Sequence, residues 1–223
     1  MTSDRSRPAS SLRAADRATP NANATSPSEP AALDIVTRCL HLALVVLGVA
    51  AWLTGDLADD YDRGVSLGFT VHRWIGIAAA LAVALRLVWG VVGPRAARFS
   101  RWVPVTKARL RMVTDDLKML FRFRIPDRLP HQGIAGVVQS IGLVVFGWVS
   151  ATGVVLFYAL EPGARPASWL RLVEAMHEVG EALIPAFLAV HVGATLVHVL
   201  AGDSRWRIMF FLKSTADPPQ PPD

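Results

Sequence analysis

Three histidines fall on one face of the last apolar segment of this sequence. His177 and His191 are fourteen residues apart, and His198 follows seven residues after His191. In a helix, each step of seven residues returns to within about 20° of the same face. At a rise of about 1.5 Å per residue, His177 and His191 would lie about 21 Å apart along the helix axis. Imidazole is the commonest metal ligand in proteins, and this separation suits two haem irons stacked across a membrane.

Each of these sites needs a second ligand from another helix at the same depth. His72 lies near the start of the second apolar segment, at the depth expected for His177, and His41 lies in the first segment, close to the depth of His191. We therefore predict two ligand pairs, His72 with His177 and His41 with His191, each holding the iron of one haem b. An iron with two histidine ligands has no open coordination position, which favours electron transfer over substrate chemistry.

The elements that carry these histidines are long apolar stretches. A helix needs about 20 mostly apolar residues to cross a bilayer, and four stretches qualify, at about 35–54, 67–92, 133–160 and 177–201. Charged residues make up only 18% of the chain, against about 25% in a typical soluble domain. These features predict an all-α membrane protein, a four-helix bundle over residues 31–212. The polar segments 1–30 and 213–223 are expected to be disordered tails.

The distribution of the 23 Lys and Arg residues predicts the orientation of the bundle. Five lie in the segment through residue 38, ten in the 93–132 connection and three after residue 201, whereas the connections 55–66 and 161–176 together hold three. Basic connections stay on the cytoplasmic side of a membrane. Both termini should therefore be cytoplasmic. The net charge of +5 then reflects membrane orientation, and no nucleic-acid partner is expected.

The 93–132 connection alternates basic residues with large apolar ones, including Trp102, Leu110, Leu117 and Phe121. This pattern predicts an amphipathic helix lying on the inner leaflet, in contact with membrane lipid. A docking surface for a cytoplasmic partner is the alternative.

Several classes of site are excluded by what the sequence lacks. The single cysteine, Cys39, rules out an internal disulfide and any multi-cysteine zinc or iron–sulfur site. Covalent c-type haem attachment is excluded for the same reason. No phosphate loop, zinc motif or nucleophile elbow occurs. We therefore predict no catalytic side chains.

Four further residues have two interpretations each. Arg38 lies one turn before His41, and Arg73 adjoins His72, so both are candidate partners for haem propionates, although snorkelling to the interface explains Arg38 equally well. His131 and His198 fall at the predicted inner side, where they either line a quinone site or simply occupy the membrane interface.

The sequence from about Asp34 to Met209 resembles the bacterial cytochrome b561 and nickel–iron-hydrogenase cytochrome b subunit family, with the related membrane subunits of formate dehydrogenases. The specific segments are VHRWIGIAAALAVALRLVWGVVGPRAARF and MHEVGEALIPAFLAVHVGATLVH, and DIVTRCLH and PHQGIAGVVQSIGLVVFGWVSATG support them. The chain departs from the family pattern at Leu42, where tryptophan is usual, and after His131, where the hydrogenase-like branch has Asn-Pro-Leu-Gly. The subfamily, and with it the partner, stays open.

The resemblance implies the same two haem pairings, in the bacterial inner membrane. It also implies electron flow between the quinone pool, near the inner haem, and a periplasmic redox protein such as a hydrogenase, a dehydrogenase or a cytochrome c. Two alternatives follow. One is an independent enzyme that oxidises superoxide and reduces quinone, as some family members do. The other is a non-redox assembly protein whose histidines hydrogen-bond between helices.

Overall fold

Helices account for all the regular structure in the part of the chain that the structure describes. This computed structural model covers residues 33–58, 66–126, 132–204 and 206–212. The helices are α1 (Ile35–Leu53), α2 (Leu67–Val92), α3 (Phe99–Trp102), α4 (Lys107–Phe121), α5 (Ile134–Ala159), α6 (Ser168–Leu200) and α7 (Trp206–Met209). α1, α2, α5 and α6 are long and apolar enough to cross a membrane, which confirms the predicted helical membrane fold. The predicted disordered tails lie outside the described residues.

Polar side chains fix where the first two spanning helices begin. One carboxylate oxygen of Asp34 accepts the Thr37 backbone N–H at 2.9 Å and the other accepts the Thr37 hydroxyl at 2.7 Å. The Trp89 indole N–H donates to the same carboxylate at 3.1 Å. Burial raises the pKa of Asp34, but these hydrogen bonds outweigh burial and hold the pKa below its usual 3.8. Ser66 caps α2 by accepting the Phe69 N–H at 3.0 Å.

The last spanning helix is longer than predicted. α6 has 33 residues and begins at Ser168, nine residues before the expected start. The added turns contain Arg171 and Glu174, so a criterion of apolar length excludes them. They are helical in the structure because Leu170, only 4% exposed, packs against Phe69 and Leu160 at the end of the bundle. At about 1.5 Å per residue the helix is about 50 Å long, more than a hydrocarbon core of about 30 Å requires.

The spanning helices pack in chain order, α1 on α2, α2 on α5 and α5 on α6. Among the described residues, α6 makes no comparably extensive contact with α1 or α2. A gap therefore separates α6 from the first two helices. The predicted histidine ligands all belong to the helices that border this gap.

α3 covers a buried arginine near the end of α2. Arg86 is 8% exposed, and its guanidinium lies 5.3 Å from the ring centre of Phe99 and 5.9 Å from that of Trp102. The aromatic rings of α3 therefore cover the head group of Arg86.

Candidate functional site

The structure brings the four predicted histidines together in two pairs. The ring centres of His72 and His177 lie 6.2 Å apart, and those of His41 and His191 lie 6.3 Å apart. Two metal–nitrogen bonds of about 2 Å each, with half a ring beyond each nitrogen, give a centre-to-centre distance of roughly 6 Å. Each pair thus has the spacing of two axial ligands on one metal ion. Their role as ligands stays a prediction.

Open space lies beside the His72–His177 pair. A cavity of about 170 Å³ is bordered by both rings, by Arg73 and by Gly76. A Cβ atom added to Gly76, one turn after His72, would meet no atom within 4 Å. On α5, a Cβ added to Gly153 would lie 3.0 Å from Cε1 of His177. A side chain at residue 153 would therefore displace the His177 ring by a few tenths of an ångström, whereas the wall at Gly76 leaves room for a ligand.

Hydrogen bonds at Nδ1 orient both rings of this pair. His72 Nδ1 lies 3.0 Å from the Ala51 carbonyl oxygen and 3.3 Å from the Thr54 hydroxyl. His177 Nδ1 lies 3.0 Å from the Thr152 hydroxyl. Metal-binding histidines use their second ring nitrogen in this way, which fixes the tautomer and the ring plane. With Nδ1 protonated and engaged, Nε2 of each ring is the nitrogen that can bind a metal.

The Thr152 hydroxyl can accept from His177 because its own proton has other acceptors. Its oxygen lies 3.0 Å from the carbonyl oxygens of Trp148 and Val149. The hydroxyl donates to α5 and presents a lone pair to the imidazole N–H. Thr152 itself is buried, at 8% exposure.

Aromatic rings surround the His41–His191 pair. The Phe187 ring stacks on His191 with centres 5.4 Å apart and an angle of 18° between the planes. Phe146 meets Phe187 edge to face at 6.0 Å and also borders the cavity at the other pair. The ring of Phe210, which follows α7, meets His41 edge to face at 6.1 Å. Phe146 and Phe187 therefore connect the second pair to the cavity at the first pair.

The donor set fits haem b. A zinc or similar metal site takes three or four protein ligands, and no three His, Cys, Asp or Glu side chains gather in this way within the described ranges. A pair of imidazoles suffices only where another molecule supplies the remaining donors, as the four ring nitrogens of haem do. The gap beside α6, the open space at Gly76 and the orientation of the Nδ1 atoms all agree with that group.

The comparison with known families decides the wider identity. A sequence model of the prokaryotic cytochrome b561 family matches residues 32–211. The chain belongs to this family. No curated protein and no solved structure matches it. Membership in the family, with four helices able to span a membrane, identifies a multi-pass bacterial membrane protein of haem-binding electron transfer.

The two predicted propionate partners occupy different surroundings. Arg73 donates to the Phe157 carbonyl oxygen at 2.7 Å, and its guanidinium lies 4.2 Å from the centre of the Phe157 ring. The guanidinium of Arg38 lies 4.1 Å from the ring centre of Phe211. Nε is buried without a hydrogen-bond partner in both side chains. In this cytochrome b561, each arginine therefore keeps one N–H that could donate a hydrogen bond to a haem propionate.

Of the two histidines predicted to line a quinone site, only His198 lies within the described residues. His131 lies outside the described residues. Nδ1 of His198 lies 3.7 Å from a carboxylate oxygen of Asp203, just beyond the end of α6. This contact gives His198 a local structural partner, and its role at a quinone site stays a prediction.

Sequence reasoning missed the residues that support the ligands. Thr152, Phe187 and Phe210 contact histidine rings. Thr152 and Phe187 lie within the segments that carry the family resemblance, but no residue type or spacing singles them out, and Phe210 lies beyond those segments. The sequence signal for Thr152 was a hydroxyl inside an apolar span. A threonine there more often bonds only its own helix backbone, so its second contact with α6 required the structure.

Proposed function

We propose that this chain is a di-haem b membrane cytochrome that transfers electrons between a redox protein at one membrane face and quinone in the bilayer. The observation that carries the proposal is the pair of matched ring separations, 6.2 Å and 6.3 Å. One ligand of each pair comes from α6. These two ligands, His177 and His191, lie about 21 Å apart along the helix axis at the rise of an α-helix. Haem b, when bound at such a pair, supplies reversible one-electron chemistry at iron.

In this proposal, side chains of the protein would bind and orient the two haem groups. Nε2 atoms of His72 and His177 would hold one haem, and those of His41 and His191 the other. Hydrogen bonds at Nδ1 keep the first two rings in place. The guanidinium groups of Arg73 and Arg38 would neutralise propionates, and the apolar helices exclude water from both sites.

The direction across the membrane follows from the distribution of charge. The end of the bundle that carries the 93–132 connection would be cytoplasmic, with both termini, because most Lys and Arg residues lie there. The His41–His191 pair is the closer pair to that end, so quinone would react there, with His131 and His198 as candidate lining residues. A periplasmic hydrogenase, dehydrogenase or cytochrome c would exchange electrons at the His72–His177 end.

Haem stoichiometry in single histidine variants tests the proposal. The purified chain should contain two b-type haems, and alanine at His41, His72, His177 or His191 should each leave one. His198→Ala is the matched control on the same helix and should keep both. A folded preparation without a b-type spectrum would refute the proposal, and so would a His191→Ala variant that retains two haems.

A partner-free assay separates this proposal from an independent enzyme. Superoxide-dependent reduction of quinone by the purified chain alone would favour the enzyme. Quinone reduction that requires an added redox protein would support the electron-transfer subunit.

A further inference from the structure

α4 presents three different faces around its circumference. The face toward the bundle contains Met112, Val113, Asp116 and Met119, which are buried or half-buried. The Asp116 carboxylate accepts the Ile134 backbone N–H at 3.0 Å, so α4 is fixed to the first turn of α5. The other two faces are exposed, and at about 100° per residue they are separate stripes.

The first exposed stripe is apolar and the second is basic. Leu110, Leu117 and Phe121, which we call the apolar face, are 50%, 44% and 78% exposed. Lys107, Arg111, Lys118 and Arg122, which we call the basic face, lie next to it and are also exposed. Lys118 pairs with Asp115 at 3.4 Å, both side chains being largely exposed. No acidic side chain of the described residues forms an ion pair with the other three.

The end of α4 projects a further aromatic ring. The Phe123 N–H donates to the Leu120 carbonyl and the Arg124 N–H to the Met119 carbonyl, both at 2.9 Å. This closing turn places Phe123 in the left-handed region, at φ 54°, where glycine is the usual residue. The Phe123 side chain is 99% exposed. A phenylalanine in a glycine position, with its ring outside the protein, indicates a surface that something apolar covers.

The position of α4 and its charge favour lipid as the occupant. The segment between the end of α2 and the start of α5 lies at one end of two spanning helices. Its described part, residues 93–126, has nine Lys and Arg residues and only Asp115 and Asp116 as acidic ones. An apolar stripe of Leu and Phe beside a stripe of Lys and Arg is the pattern of helices that lie in an anionic membrane interface.

We propose that α4 is an in-plane anchor that binds anionic phospholipid of the adjoining leaflet. The apolar face and Phe123 enter the acyl-chain boundary, and the basic face binds lipid phosphates. Attraction to an anionic surface is short-ranged and screened by salt. This surface is independent of the haem ligands, so it can be tested whatever the metal content of the chain.

Spin labels test which environment the apolar face meets. Cys39, the single cysteine, is first replaced by alanine. One new cysteine is then introduced as Phe121→Cys, Phe123→Cys or Ala108→Cys and carries the spin label. Each labelled protein is reconstituted in vesicles that contain phosphatidylglycerol. Residue 108 is exposed on the opposite side of α4 from the apolar face. Labels at 121 and 123 should collide with oxygen and be shielded from a water-soluble nickel chelate, whereas the label at 108 should be accessible to the chelate. Chelate access at 121 and 123 equal to that at 108 would overturn the proposal in favour of a protein-docking surface.

Lipid selectivity tests the basic face. Spin-labelled phosphatidylglycerol should associate with the reconstituted protein more strongly than spin-labelled phosphatidylcholine. Arg111→Gln with Arg122→Gln should weaken this preference by about fivefold for each charge removed. The matched control, Arg165→Gln with Arg171→Gln, removes two exposed charges near the start of α6 and should leave the preference intact. An equal loss in both double variants would show a general charge effect and overturn the assigned site.

Discussion

In the proposed di-haem protein, Thr152→Val should raise the reduction potential of the haem at His72 and His177 and leave the other unchanged. The Thr152 hydroxyl lies 3.0 Å from Nδ1 of His177, and valine keeps its shape without its lone pairs. A hydrogen bond from Nδ1–H makes the imidazole a stronger electron donor to iron and so stabilises the oxidised state. Removing the acceptor therefore destabilises that state.

The size of the shift follows from the hydrogen bond. A neutral hydrogen bond contributes about 0.5–1.5 kcal/mol, and a tenfold change in a one-electron equilibrium corresponds to about 59 mV. If the full energy of this hydrogen bond stabilised the oxidised state, its removal would shift the reduction potential by about 20–60 mV. We therefore expect a shift of about 20–60 mV toward positive potential.

The assay is a spectroelectrochemical titration of the purified protein, fitted to two one-electron components. Thr152→Ser should restore the wild-type potential, because serine keeps the hydroxyl. Thr54→Val is the matched control, since the Ala51 carbonyl remains 3.0 Å from His72 Nδ1, and its shift should be smaller. Equal movement of both components in Thr152→Val, or a larger shift in Thr54→Val, would refute the reasoning.

Three further predictions concern close contacts and capping. Gly153→Ala should push the His177 ring by a few tenths of an ångström, because the new Cβ would lie 3.0 Å from Cε1; low-temperature electron paramagnetic resonance should show one altered haem signal. Gly147→Ala on the same helix meets no atom within 4 Å and should leave both signals unchanged. Asp34→Ala should cost about 1 kcal/mol of stability at neutral pH, measured as the temperature at which haem absorbance is lost. Because the pKa of Asp34 is lowered in the folded chain, its carboxylate stabilises the fold above pH 3.8 and this contribution disappears as the pH falls further; a difference between wild type and variant that persists in acid would contradict this. Asp116→Ala should cost about 1–3 kcal/mol, because it removes the charged acceptor of the half-buried Ile134 N–H in α5, and a proteolysis assay should show earlier cleavage around α4.

The sequence was sufficient for the features that depend on length and period. Apolar runs predict spanning helices because a bilayer imposes a minimum length, and the bounds of α2 agree with the structure to the residue. The matched depth of His72 and His177 was predictable, because the ends of spanning helices place their residues at calculable heights.

Features that depend on contacts between distant residues were not predictable in this way. The outer turns of α6 are polar in sequence and are helical because Leu170 has a buried partner on another helix. The head group of Arg86 is covered by Phe99 and Trp102 of α3, a contact that no pattern in the sequence indicates. A threonine hydroxyl in an apolar span usually bonds only the backbone of its own helix. Nothing in the sequence indicates that the Thr152 hydroxyl also contacts His177. In each case the deciding partner lies on another helix.

The sharing of α6 by both histidine pairs has a consequence for biogenesis. Of the four spanning helices in the described part of the chain, α6 is the last to be synthesised, and it carries His177 and His191, one member of each pair. Neither pair can therefore be complete before α6 has joined α1 and α2. A chain truncated before α6 would contain His41 and His72 but no complete pair.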